Sequence, residues 1–103
     1  MPKFLAQATY TFEGMQGLVN QGGTARRAVV EKAVQSLGGK LEAFYFAFGE
    51  ADIYAIVDVP DNVTAAALSL GIGVSGVGGI KTTVLLTSEE IDQASAKAQK
   101  YQR

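Results

Sequence analysis

Between Lys40 and Phe48 the sequence is apolar on both of its alternating sets. Phe44, Phe46 and Phe48 form one set, and Leu41, Ala43, Tyr45 and Ala47 form the other. Alternation over so few residues predicts a β-strand, whose successive side chains point to opposite faces of a sheet. A strand that is apolar on both faces must be covered on both, because an antiparallel sheet with one solvated face alternates apolar with polar. Leaving three Phe rings in water would forfeit roughly 1.5–3 kcal/mol each. Any fold for this chain has to supply two coverings for one strand.

The remaining elements supply one of them. Lys3 to Thr11 alternates, with Phe4, Ala6, Ala8 and Tyr10 opposite Leu5, Gln7 and Thr9, and reads as a first strand. Thr11 to Gly23 holds Gly14, Gly17, Gly22 and Gly23 around a short apolar cluster, Met15, Leu18 and Val19. It reads as a loop with at most one helical turn. Thr24 is the expected N-cap of a helix on which Ala25, Ala28, Val29, Lys32, Ala33, Val34 and Leu37 recur at helical spacing. Gly38-Gly39 ends it, since glycine takes the left-handed conformation of a C-terminal cap.

After the second strand, Gly49-Glu50-Ala51-Asp52 makes a tight turn into a third, Ile53 to Val59, apolar on both faces apart from Asp58. Pro60-Asp61-Asn62 starts a second helix capped by Asp61 and running to about Leu70, where Gly71, Gly73, Gly76, Gly78 and Gly79 loosen its end. Gly79 to Thr87 is a fourth strand. Ser88-Glu89-Glu90 carries N-cap and first-turn chemistry for a last helix through Ile91, Ala94 and Ala98. The order is β-α-β-β-α-β plus a C-terminal helix. Right-handed crossovers then predict an α+β fold of the ferredoxin-like kind, with a four-stranded antiparallel sheet and two helices on one face. The 103 residues have room for one such domain, spanning 1–103.

Two helices cover one face only. The other face would carry either Phe44-Phe46-Phe48 or Leu41-Ala43-Tyr45-Ala47, on a strand that this topology puts at a sheet edge, where long apolar strands invite association. The expectation is a homodimer or higher homo-oligomer through the sheet, two sheets packing face to face as a dimeric α/β barrel.

Gly22-Gly23-Thr24-Ala25-Arg26-Arg27 and the run from Val34 through Gly38-Gly39-Lys40-Leu41-Glu42-Ala43-Phe44-Tyr45-Phe46-Ala47-Phe48-Gly49 form two distinctive blocks. With Asp52, Pro60-Asp61-Asn62-Val63 and Lys81-Thr82-Thr83-Val84-Leu85-Leu86-Thr87 they give the chain a resemblance to the GYD domain, a small family in the dimeric α/β-barrel group. The resemblance runs from Lys3 to about Ala94. It departs at Ala51, where the name-giving motif carries Tyr between its Gly and Asp. It implies the fold and the dimer but little chemistry, since the wider barrel group includes monooxygenases, isomerases and structural modules.

Composition removes many chemistries. With no Cys and no His there is no disulfide, thiol nucleophile, zinc site of the usual kind or Ser-His-Asp triad. The acids are not clustered, so neither a metal nor another cofactor is expected. Ten acidic against nine basic residues give a net charge of −1, and the short basic tail of Lys97, Lys100 and Arg103 reads as a solvated helix end. No nucleic-acid partner is expected. Gln7 and Thr9 interrupt the opening apolar run, so no secretory leader is expected. No stretch approaches the roughly 20 apolar residues of a membrane span, and a cytoplasmic location follows as the expectation.

The helix start at Thr24, Arg26 and Arg27 could hold an anion on backbone N–H groups, a hydroxyl and guanidiniums. Its ordinary alternative is a loop leading to solvated arginines, although two cations near a positive helix end are mildly unfavourable. The glycines at 71–79 follow a helix and precede a strand, the reverse of a nucleotide loop, and no Gly-Lys-Ser/Thr occurs. Tyr10, Tyr45, Tyr54, Asp52, Asp58 and Lys81 are the strand or turn residues able to donate, protonate or accept. Each has an ordinary alternative in packing, solvation or, for Asp52, a turn-closing hydrogen bond.

Tyr10, Thr24, Arg26, Arg27, Tyr45, Asp52, Tyr54 and Lys81 are accordingly the candidate ligand-binding set. Three readings stand open. The first is a dimeric module binding a small, partly apolar molecule between sheet and helices, with an acidic group held by Arg26 or Arg27. The second is a cofactor-independent monooxygenase- or isomerase-like enzyme, and the third is a structural self-assembly module. The absence of His weakens the enzyme reading, because His is the readiest acid and base near neutral pH.

Overall fold

The computed structural model describes residues 1–73 and 77–102. Its elements run β1 (Lys3–Tyr10), α1 (Phe12–Gln21), α2 (Gly23–Ser36), β2 (Lys40–Phe46), β3 (Ile53–Asp58), α3 (Asn62–Gly73), β4 (Val77–Leu85) and α4 (Ser88–Gln99). The strands form one antiparallel sheet in the order β2-β3-β1-β4. This is the ferredoxin-like α+β arrangement. Gly76 and Arg103 lie outside the described residues.

The segment expected to be a loop is instead the helix α1. Thr11 caps it, its hydroxyl accepting the Gly14 N–H at 3.0 Å. Gly14 and Gly17 weaken its intrinsic propensity, but it packs against α2 and β1. Gly22, at φ +84°, closes α1 by donating its N–H to the Leu18 carbonyl and opens α2 directly. That left-handed turn requires glycine. Gly22, not Thr24, is therefore the N-cap residue of α2, and α2 has no side-chain cap.

At the other end of α2, Gly38 takes φ +80° and Gly39 is pressed against β3. A β-carbon on Gly39 would lie 2.6 Å from the Asp58 carbonyl oxygen and 2.9 Å from Val59 Cγ1. Asp61 caps α3 as expected, accepting the Thr64 N–H at 2.8 Å and its hydroxyl at 2.7 Å. For α4 the cap is Thr87, one residue before Ser88. Thr87 and Glu90 exchange reciprocal hydrogen bonds in a capping box.

The second strand resolves its two apolar sets in a way that alternation alone did not foresee. The register with β3 steps from Leu41 opposite Val57 to Ala43 opposite Ile56, so Glu42 is the extra residue of a bulge. Leu41, Phe44 and Phe46 thereby share the helix-facing side, and Ala43 and Tyr45 face away. Neither expected set survives intact. The strand also ends at Phe46, which leaves Phe48 exposed beyond it.

The core is built on the helix-facing side from Phe4, Ala8, Leu41, Phe44, Ile53, Ala55 and Val57, with Val34 of α2 and Ala65 and Leu68 of α3 packed on them. Phe44 meets Phe46 edge to face at 5.2 Å between centroids. Helix α2 lies over β2 and α3 lies over β4, the two edge strands. The strip above the central strands β1 and β3 falls between the helices. The opposite face carries Leu5, Gln7, Tyr45, Tyr54, Ile56 and Leu85 by the pairing register, together with Lys3 bridging Asp58 at 2.8 Å and Glu42 at 3.1 Å.

A cavity between sheet and helices

The gap between α2 and α3 is a cavity of about 430 Å³. Its floor is small: Ala6 and Ala8 of β1 and Ala55 of β3, with Ile53, Val57, Phe44 and Ile80 around them. Val29, Val30, Ala33, Val34, Ser36 and Leu37 form one wall, and Ala67, Leu68, Gly71 and Ile72 the other. Alanines on the central strands cannot fill the space that helices set over the edge strands leave open. The size and apolar lining are those of a small-molecule site.

Polar groups reach the cavity at one end. Tyr10, at the end of β1, and Arg26, one turn into α2, both line it. The guanidinium carbon lies 5.8 Å from the centroid of the Tyr10 ring, a cation–π distance. Tyr10 Oη and Arg26 Nε are both buried and find no hydrogen-bond partner among the described residues. Such orphaned groups cost about 1–3 kcal/mol each when left unmade. Burial raises the Tyr10 phenol above its ordinary value, Arg26 pulls it down and Asp52 pushes it up again. The phenol therefore keeps its proton at neutral pH and is available as a donor.

The Arg26 side chain reaches α1 at Gly17, where an added β-carbon would be in ordinary contact with Nη2 at 3.4 Å. Asp52 is not a lining residue but holds the backbone of Tyr10. Its carboxylate accepts the Tyr10 backbone N–H at 2.8 Å, and its own N–H donates to the Ala8 carbonyl at 2.9 Å. Ala51, where the GYD motif carries Tyr, is buried beside it in the chain.

The eight candidate residues thus separate. Tyr10 and Arg26 line the cavity and Asp52 fixes the turn beside Tyr10. Thr24 and Arg27 are exposed on α2 and are not among the lining residues. Tyr45, Tyr54 and Lys81 lie on the other face of the sheet: Tyr45 stands opposite Tyr54, and Gln7 is the register partner of both Tyr54 and Lys81. The wall and floor residues were not singled out from sequence as a site. The signal that could have found them is the set of inward alanines, Ala6, Ala8 and Ala55. It means little until the strand register puts them side by side.

Among the described residues no helix is long and apolar enough to cross a membrane. No group of three or more His, Cys, Asp or Glu side chains comes together there either.

A ferredoxin-like α+β domain with an apolar sheet–helix cavity, polar at one end, is the class that fold and site define. The GYD domain model matches residues 4–95, and the chain belongs to the GYD domain family. No curated protein and no solved structure matches it significantly.

Proposed function

We propose that this chain is a binding module for a small, largely apolar molecule, possessing an anionic or acceptor-rich end, held in the cavity between the sheet and helices α2 and α3. One observation carries the reading. Tyr10 and Arg26 line one end of a largely apolar cavity of ligand size, and among the described residues their Oη and Nε atoms are closed off from solvent with no hydrogen-bond partner. A ligand bringing an acceptor to that end would satisfy both once the two side chains turn toward it, while its body covers the alanine floor. Native mass spectrometry of gently purified protein tests this. A reproducible extra mass on the folded chain, lost on denaturation, is the expected result. A bare chain that also takes up no apolar probe would contradict it.

Self-pairing belongs to the same reading. The open sheet face presents Leu5, Ile56, Tyr45, Tyr54 and Leu85 with no helix of the described residues over them, which supports a homodimer through the sheet. The twelve-residue α4 has no buried residue, and a helix of that length standing alone is marginal in water. A second copy is the economical cover for both. A cytoplasmic setting is part of the proposal and rests on the absence of cysteine.

A further inference from the structure

Given that the cavity holds a ligand, we infer that the ligand is an apolar monocarboxylic acid, its carboxylate on Arg26 Nε and Tyr10 Oη and its hydrocarbon body lying along α2 toward Leu37. The inference rests on the binding reading above and specifies the ligand's chemistry.

The head group follows from the donors. Arg26 Nε can only donate, and guanidinium pairs best with planar oxyanions. No carboxylate of the chain lies within ion-pair distance of Arg26 among the described residues, where Lys3 alone makes salt bridges. With a turn of the two side chains, whose donors are now closed off from solvent, an incoming carboxylate could take one bond from the guanidinium and one from the phenol. Both donors would then be satisfied by a single planar group.

The charge of the head is bounded from the other side. Asp52 is near enough to oppose ionisation of Tyr10, and its carboxylate is tied to the Tyr10 backbone. A head carrying two negative charges would meet that carboxylate with only one guanidinium lining the cavity to offset it. One negative charge fits; two do not.

The body follows from the walls. Arg26 and Leu37 both line the cavity, and Leu37, just past the end of α2, lies eleven positions after Arg26, about 16 Å at the usual helical rise. Apart from Ser36, the lining beyond Tyr10 and Arg26 is without polar side chains. Ser36 and Leu37 are themselves exposed, so it is a second polar group lodged among the apolar walls short of them that would be desolvated with little to bond.

Calorimetric titration of the full chain with decanoate, decanol, decanedioate and decyl phosphate tests this, with displacement of an apolar fluorophore as a parallel readout. Decanoate is expected to bind at least about tenfold more tightly than each of the other three. Arg26→Gln should bring decanoate down to the level of decanol. Tyr10→Phe, which retains the ring, should weaken decanoate severalfold and provides an independent arm should Arg26→Gln not fold. Equal binding of decanol and decanoate would overturn the carboxylate assignment while leaving the cavity reading intact. Decanedioate or decyl phosphate matching decanoate would overturn the single-charge assignment in the same way. Failure of all four, together with failure of the fluorophore, would overturn the binding reading itself.

Discussion

The Asp52 carboxylate accepts the backbone N–H of Tyr10 at 2.8 Å, tying the β2–β3 turn to the end of β1 at the polar end of the cavity. The bond satisfies a backbone donor just where β1 stops and α1 begins, and it fixes the segment that carries the phenol. Asp52→Ala leaves that N–H without its partner and should cost about 1–2 kcal/mol in urea denaturation. Asp52→Asn keeps an acceptor and should cost less. Equal losses for the two variants would mean that the hydrogen bond is not what Asp52 contributes.

Gly39 sits where α2 hands over to β2, with no room for a side chain. Gly39→Ala would drive a β-carbon to 2.6 Å from a backbone oxygen and 3.1 Å from Val34 Cγ1, at the centre of the core. The strand start has to shift, at a cost of about 1–3 kcal/mol measured by chemical denaturation. Gly49, whose β-carbon would meet nothing within 4 Å, is the control: Gly49→Ala should be close to neutral.

The pH dependence of stability has one contribution at each extreme. Lys3 is held above its ordinary value of 10.5 by hydrogen bonds to Asp58 and then Glu42. Its contribution is complete below 10.5 and is lost as pH rises through the higher folded-state value. Asp61 is held below 3.8 by its bonds to Thr64, so its contribution is complete above 3.8 and is lost as pH falls through the lower folded-state value. Thermal melts should show Lys3→Gln flattening the alkaline limb and Asp61→Asn flattening the acid limb. An alkaline limb unchanged by Lys3→Gln would contradict the first assignment, and an acid limb unchanged by Asp61→Asn the second.

If the open sheet face pairs two copies, its centre is the place to break the contact. Ile56 lies on β3, between Leu5 of β1 and Ala43 of β2 in the register, and faces away from the helices. Ile56→Asp should convert a dimer to a folded monomer in native mass spectrometry, with its far-ultraviolet dichroism retained. Phe46 is a poor probe, because the bulge at Glu42 turns it to the helix side. A dimer that survives Ile56→Asp would mean that the sheet face is not the contact.

Much of the fold could be read from local signals. Alternation gave the four strands, Gly38-Gly39 the end of α2, and Asp61 the start of α3. The failures share a cause, which is that tertiary packing decided them. Helix α1 contains two glycines and is held by α2 and β1, not by propensity. The bulge at Glu42 is silent in the sequence because apolar residues continue on both sides of it. For the site, Tyr10 and Arg26 were legible as chemistry-bearing residues, whereas their pairing across β1 and α2 was not. Tyr45, Tyr54 and Lys81 were equally plausible until the register put them on the far face. The cavity depends on two helices lying over edge strands and on alanines meeting across β1 and β3, relations among residues distant in the chain.

The central claim is that the space above Ala6, Ala8 and Ala55 receives a ligand. Ala33 projects into that space from α2, so Ala33→Phe would fill it without removing a core contact. The direct measurement is fluorescence titration of an apolar probe into the original chain and into Ala33→Phe, with melting temperatures taken in parallel. The original protein should take up one molecule per chain, saturably. The variant should lose that uptake, with a melting temperature equal or higher. Uptake that is unchanged in a folded Ala33→Phe, or absent from the original chain, would contradict it.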